Sequence, residues 1–239
     1  MIEMNSHLLP ARKGSKMKKL LNHPLAGAGI AILSIMIFKA MELLFYPGGS
    51  LLFYDKNREL EWITYALYII ALLITLCCAK DFWKDNKKTT FGALLFLCLI
   101  ALLREMGIQH WLTQYDTTAI KIKFFTNPNN PLHEKIISAC VVFTVLTIAL
   151  WLLFKYLPKM IHGFFKLIPL YWTIATFGGI GIISQFCDRF PSNYFKVTGV
   201  RISVGWEQLL KLLEEGGEAC LPILFILALF QYHQMCTKK

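Results

Sequence analysis

Charged residues are scarce in this sequence. Asp, Glu, Lys and Arg make up 17% of the 239 residues and hydrophobic residues 56%, whereas charged residues are roughly a quarter of a soluble domain. The apolar residues also come in long blocks and do not alternate with polar ones, which argues against a soluble core and against a β-barrel. We therefore expect an all-α integral membrane protein.

The motifs of common enzyme and metal families are missing as well. The sequence contains no HExxH, GxSxG or P-loop, and its seven cysteines have neither CxxC nor zinc-finger spacing. The net charge of +10 is not accompanied by a recognition helix or a basic, aromatic-interleaved strand, so we expect no nucleic-acid partner. The sequence assigns no cofactor and no metal site.

Six apolar stretches are long enough to cross a bilayer with their flanks. We predict transmembrane helices at about 24–46, 61–79, 91–111, 136–157, 167–187 and 212–233. Pro158 is expected to end the fourth helix before a basic turn at 159–166, and the glycines at 178–181 are expected to permit close helix contact in the fifth. Residues 188–205 should form a loop.

The flanks of this six-helix domain (24–233) are a basic N-terminal segment, 1–23, and a short tail, 234–239. Both are predicted to be cytoplasmic, because segments on the terminal side carry 14 Lys and Arg residues against 9 on the opposite side. Twelve of the 15 acids lie on or near the opposite, outer side. Met17 is an alternative start to Met1. The layout resembles that of six-helix bacterial inner-membrane proteins, so we expect a multi-pass protein of the inner (plasma) membrane.

Charged residues in three of these helices are predicted to lie at one depth. At about 1.5 Å per residue, Lys39, Glu105 and Glu218 each lie about 20–22 Å above the cytoplasmic boundary, and Arg104 lies just below Glu105. Ionised groups in hydrocarbon are costly and often functional. If the first, third and sixth helices adjoin, the cations and carboxylates form a polar pocket that opens outward.

The last helix reinforces this expectation. Its uninterrupted apolar run, 219–230, has only 12 residues, too few to span a bilayer. The helix must therefore draw Glu214, Glu215 and Glu218 into the outer leaflet, where such close carboxylates require a proton, a cation or a metal. An amphipathic segment at 201–218 is predicted to lie along the outer surface before this helix enters the membrane.

We assign candidate roles in this pocket by chemistry. The catalytic candidates are Glu105, His110, Glu214 and Glu218. The candidates for substrate binding are Lys39, Glu42, Arg104, Gln109 and Asp188. The four catalytic candidates would also suit a metal ion, but the five-residue spacing of Glu105 and His110 is poor for one helix face.

Three functions remain open from the sequence. The first is an enzyme that acts on, or a protein that binds, a lipid or envelope precursor, with Arg104 and Lys39 holding an anionic head group. The second is a proton- or cation-coupled transporter subunit that uses the same carboxylates. The third is a non-catalytic assembly partner in which Lys39–Glu105 and Arg104–Glu218 are structural ion pairs.

Overall fold

The computed structural model of this protein describes residues 16–45, 59–108 and 122–237. Across these ranges the regular structure is helical, without strands. The helices are α1 (Lys16–Leu21), α2 (Ala26–Phe45), α3 (Glu59–Cys77), α4 (Ala79–Lys84), α5 (Lys88–Glu105), α6 (Ile122–Thr126), α7 (Leu132–Phe165), α8 (Pro169–Thr198) and α9 (Val204–Thr237).

Four of these helices are long and apolar enough to cross a membrane. They are α2, α3 over Leu60–Cys77, α7 and α8. The other two long helices, α5 and α9, carry Arg104 and Glu105 in one case and four glutamates in the other, which lowers their apolar content. The all-helical prediction is confirmed for the described residues, and the helices fit a membrane protein.

Helix α9 lies at the centre of the bundle. It packs against α8, α3 and α2, and α3 in turn packs against α5. Ala219, Cys220 and Leu224 of α9 are completely buried. Further along, Phe225 contacts a cluster that joins α3 to α5 around Tyr68 and Leu102. The most charged of the long helices is therefore also the one that the others surround.

One end of the bundle gathers four segments that are distant in sequence. Side chains near the end of α9 reach α1 and α4, and the start of α5 reaches α7. The contacts are Gln231 Nε2 to the Leu21 carbonyl oxygen at 2.8 Å, His233 Nδ1 to Asp81 Oδ2 at 2.7 Å, and the hydroxyls of Thr90 and Tyr156 at 2.7 Å. These are the four segments whose basic residues defined the predicted cytoplasmic side.

Three boundary predictions were wrong. Pro158 does not end a helix, because α7 continues through it to Phe165 and so includes most of the predicted basic turn at 159–166. Helix α8 continues through Pro191 to Thr198, so much of the predicted loop at 188–205 is helical. A proline removes one backbone donor and frees the carbonyl four residues earlier, which bends a helix more often than it ends a long one.

The third correction concerns the amphipathic segment at 201–218. From Val204 onward it is the first part of α9, which is one helix of 34 residues, and it is not a separate surface element. Leu210 and Leu212 are buried, whereas Trp206 and Leu209 are exposed at 62% and 42%. The apolar residues of this segment are therefore divided between contact with neighbouring helices and the surface.

The close helix contacts do not involve the glycines at 178–181. A Cβ added at Gly178, Gly179 or Gly181 would have no atom within 4 Å. Gly27 of α2 is the tight position, because its Cβ would lie 3.0 Å from the Thr173 Cα of α8. Gly217 of α9 is also close to α8, with 3.3 Å to the Ser184 Cβ.

The contact at Gly27 can be tested against a matched glycine in the same helix. Gly27→Ala should lower the melting temperature of the detergent-solubilised protein, because overpacking against backbone costs about 1–3 kcal/mol. Gly29→Ala should be neutral or stabilising, since Gly29 has open space around it and alanine favours helix by up to about 1 kcal/mol. Equal melting temperatures for the two variants would contradict this packing of α2 on α8.

Candidate functional site

Arg104 connects the end of α5 to α9. Its Nη2 atom lies 2.6 Å from Glu218 Oε1 and 3.6 Å from Glu105 Oε1. The two carboxylates are largely buried, with side-chain exposures of 16% for Glu218 and 14% for Glu105, whereas the Arg104 side chain is 46% exposed. One guanidinium thus forms ion pairs with two carboxylates, one on α5 and one on α9. Glu105 and Glu218 are two of the residues that the sequence predicted to lie at the same depth.

Glu218 also receives a contact from α8. Gln185 Nε2 donates to the same oxygen, Glu218 Oε1, at 3.5 Å. Side chains of α5 and α8 therefore contact the same carboxylate oxygen of α9. Pro222 lies four residues further along α9 and lacks a backbone N–H, so the Glu218 carbonyl has no helical donor at that position. The Glu218 carboxylate therefore has partners from two other helices, Arg104 of α5 and Gln185 of α8.

Tyr65 brings α3 to the same place. Its hydroxyl lies 3.1 Å from Glu61 Oε2 and 3.0 Å from the backbone carbonyl oxygen of Glu105. Both of these atoms are acceptors and a phenol has one hydrogen, so Tyr65 donates to one of them at a time. The sequence-based candidates included neither Tyr65 nor Glu61, although the spacing of the two residues by four in a helix was a usable signal.

A second cation lies further along α9 towards its start. Lys211 Nζ lies 2.8 Å from Glu214 Oε2 and 3.9 Å from Glu215 Oε1. Ser184 of α8 donates its hydroxyl to the Glu214 carbonyl oxygen at 2.9 Å. The negative charge of Asp188 acts on Lys211 and on Glu214. Lys211 was missing from the sequence-based candidates because it was assigned to the surface segment.

The five glutamates Glu61, Glu105, Glu214, Glu215 and Glu218 form what we name the carboxylate cluster. Their negative charges repel one another. The charge of Glu215 is repelled by those of Glu214, Glu218 and Glu105, and the charge of Glu105 by those of Glu218 and Glu61. Two cations, Arg104 and Lys211, contact the cluster within the described residues. Within the part of the chain that the structure describes, Glu105, Glu214, Glu215 and Glu218 therefore outnumber the two cations that contact them.

Lys39 is not part of this cluster. Its Nζ atom lies 2.7 Å from Glu42 Oε2, three residues further along α2, and the Glu42 side chain is fully buried. Within the described residues, no ion pair joins Lys39 to Glu105. Helices α2 and α5 pack on different neighbours, α2 on α8 and α9 and α5 mainly on α3. The expected Lys39–Glu105 pair is thus replaced by a pair within one helix, whereas the expected Arg104–Glu218 pair is present.

Two further candidates, Gln109 and His110, lie outside the described residues. Inside the described ranges, no three His, Cys, Asp or Glu side chains are arranged to hold a metal ion.

Comparisons with known proteins add little to this picture. No family model and no solved structure matches the chain. A UPF0182 protein of Trichodesmium erythraeum (strain IMS101) is 30% identical over 115 residues, which are 46% of this chain and 11% of that protein. The chain therefore spans about a tenth of the length of this relative.

The Arg104–Glu218 contact can be measured by a double-mutant cycle. Arg104→Gln should destabilise the protein by roughly 1–3 kcal/mol, because it leaves two largely buried carboxylates without their cation. Adding Glu218→Gln should recover part of that loss, so the two effects should not be additive. Thermal unfolding in detergent provides the readout. Additive effects would mean that the pair contributes no coupling energy.

Proposed function

We propose that this protein crosses the membrane six times, with both termini in the cytoplasm. The four candidate spans are completed by α5, whose 18 residues extend about 27 Å, and by α9. The orientation is supported by four segments that lie together at one end of the bundle: α1, the α4–α5 turn, the part of α7 around Tyr156 and the end of α9. Three of these segments carry nine lysines, in agreement with the positive-inside rule for a cytoplasmic face: Lys16, Lys18, Lys19, Lys80, Lys84, Lys87, Lys88, Lys155 and Lys159.

Within this topology, we propose that the carboxylate cluster binds protons or another cation inside the membrane. The observation that carries the proposal is that, among the described residues, four carboxylates contact only two cations, Arg104 and Lys211. The four are Glu105, Glu214, Glu215 and Glu218. Arg104 and Lys211 neutralise two negative charges at most, and Asp188 adds a further negative charge nearby. Carboxylates that are partly removed from water and repel one another require positive charge. A proton- or cation-coupled transporter subunit is the corresponding function.

The enzyme that acts on or binds a lipid or envelope precursor is the second candidate. In that function Glu105, Glu214 or Glu218 would act as acid or base, and Arg104 and Lys39 would hold an anionic head group. The ion pairs weaken this assignment, because Arg104 is engaged by Glu218 and Lys39 by Glu42. An anionic group would have to displace a carboxylate to reach either cation. The geometry therefore favours cation binding.

Difference infrared spectroscopy tests cation binding without knowledge of the transported species. Protonated carboxyls and carboxylates absorb at separate frequencies, so acidification or the addition of Na⁺, K⁺, Mg²⁺ or Ca²⁺ should produce a carboxyl difference band in the reconstituted protein. Glu105→Gln and Glu215→Gln should each remove part of that band. Glu207→Gln, which lies on α9 outside the cluster, is the control and should retain it.

Two outcomes would contradict the proposal. If the difference band is unchanged in Glu105→Gln and Glu215→Gln, the cluster does not bind the added cation. If both variants fail to fold while Glu207→Gln folds normally, the carboxylates are structural ion-pair partners, as in a non-catalytic assembly subunit.

A further inference from the structure

A stripe of aromatic side chains follows one face of the second half of α8. Phe186, Phe190 and Tyr194 are spaced by four residues, with ring centroids 5.5 Å and 5.9 Å apart. On one side of the stripe, Trp206 and Leu210 of α9 complete a groove of about 450 Å³. On the other side, the same three aromatic residues line a second groove of similar volume. The stripe is thus accessible from both sides.

Each groove contains an arginine. Arg201 lines the groove between α8 and α9, and Arg189 lines the groove on the other side. Among the residues that the structure describes, neither arginine forms an ion pair with an acid. This distinguishes them from Arg104, Lys39 and Lys211, whose charges are neutralised within the protein.

The proposed topology places this stripe at the outer face of the membrane. Gln185 contacts Glu218, which lies about 20 Å above the cytoplasmic boundary of a core about 30 Å thick. At about 1.5 Å per residue, α8 leaves the hydrocarbon about seven residues beyond Gln185. Phe186 and Phe190 then lie at the level of the acyl chains, whereas Tyr194 and Arg201 lie at the level of the head groups.

We propose that each of the two grooves binds an anionic phospholipid of the outer leaflet. The acyl chain packs against Phe186 and Phe190, and the phosphate accepts hydrogen bonds from the arginine of its groove, Arg201 or Arg189. The long side chain of Arg189 extends from the level of these rings towards the head groups. Guanidinium groups match phosphate geometrically and lose hydration more readily than ammonium groups. The charge is complementary because each groove supplies an arginine that forms no ion pair with any acid of the described ranges. This inference rests on the proposed topology but not on the cation site.

The test uses Trp206, whose side chain is 62% exposed in the groove. The full-length protein is reconstituted into vesicles containing brominated phosphatidylglycerol or brominated phosphatidylcholine, since bromine quenches nearby indole fluorescence. Subtracting the signal of Trp206→Phe isolates the contribution of Trp206. We expect the brominated phosphatidylglycerol to quench this contribution more strongly than the brominated phosphatidylcholine does.

Charge variants then identify the binding groups. Arg201→Gln and Arg189→Gln should each weaken the preference for phosphatidylglycerol about fivefold or more, the usual effect of one cation at an anionic surface. Lys196→Gln removes the same charge from a residue of α8 that lines neither groove, and it should preserve most of the preference. Glu105→Gln should leave it unchanged, which separates this result from that of the cation site.

Three results would overturn the proposal. Equal quenching by the two lipids in the unmodified protein would show that no anionic head group is selected. Shielding of Trp206 from both lipids would show that protein covers the groove. A loss of preference in Lys196→Gln as large as that in Arg201→Gln would show general surface attraction instead of a site.

Discussion

The shortness of the apolar part of α9 is the constraint on which the rest of this structure depends. Only 12 consecutive residues, 219–230, are free of polar side chains, so the central helix cannot bury itself without also burying glutamates. Two other helices meet this requirement with polar side chains that contact Glu218: α5 with Arg104 and α8 with Gln185. The helix that supplies most of the core therefore also determines which polar groups its neighbours must carry.

The two ends of the bundle satisfy their polar groups differently. Near the end of α9, contacts pair groups of matched character, such as His233 with Asp81 and Lys87 with Asp85. In the carboxylate cluster, four described acids, Glu105, Glu214, Glu215 and Glu218, contact two described cations. Balanced pairs fix helices in place, whereas an unbalanced group retains the capacity to take up charge. This asymmetry, more than the presence of buried charge itself, separates a candidate site from a structural contact.

Sequence reasoning located the Arg104–Glu218 contact because helical rise converts residue number into depth. The same reasoning misplaced Lys39, because depth says nothing about position around the bundle, and α2 and α5 have different neighbours. The glycines show a related limit. The glycine-rich run at 178–181 suggested close helix contact, but the tight contacts lie at Gly27 and Gly217. A tight contact depends on which helix lies opposite the glycine, and the sequence does not give this. Pro158 was misleading because one missing backbone donor does not interrupt a helix of 34 residues such as α7.

The single hydrogen of Tyr65 couples two parts of the site. While Glu61 carries a negative charge, the phenol is drawn to that carboxylate, and the Glu105 carbonyl at the end of α5 competes for the same hydrogen. The phenol therefore joins the start of α3 to the end of α5. Removing the Tyr65 hydroxyl would loosen these two helices from one another beside Arg104, the residue through which α5 reaches α9.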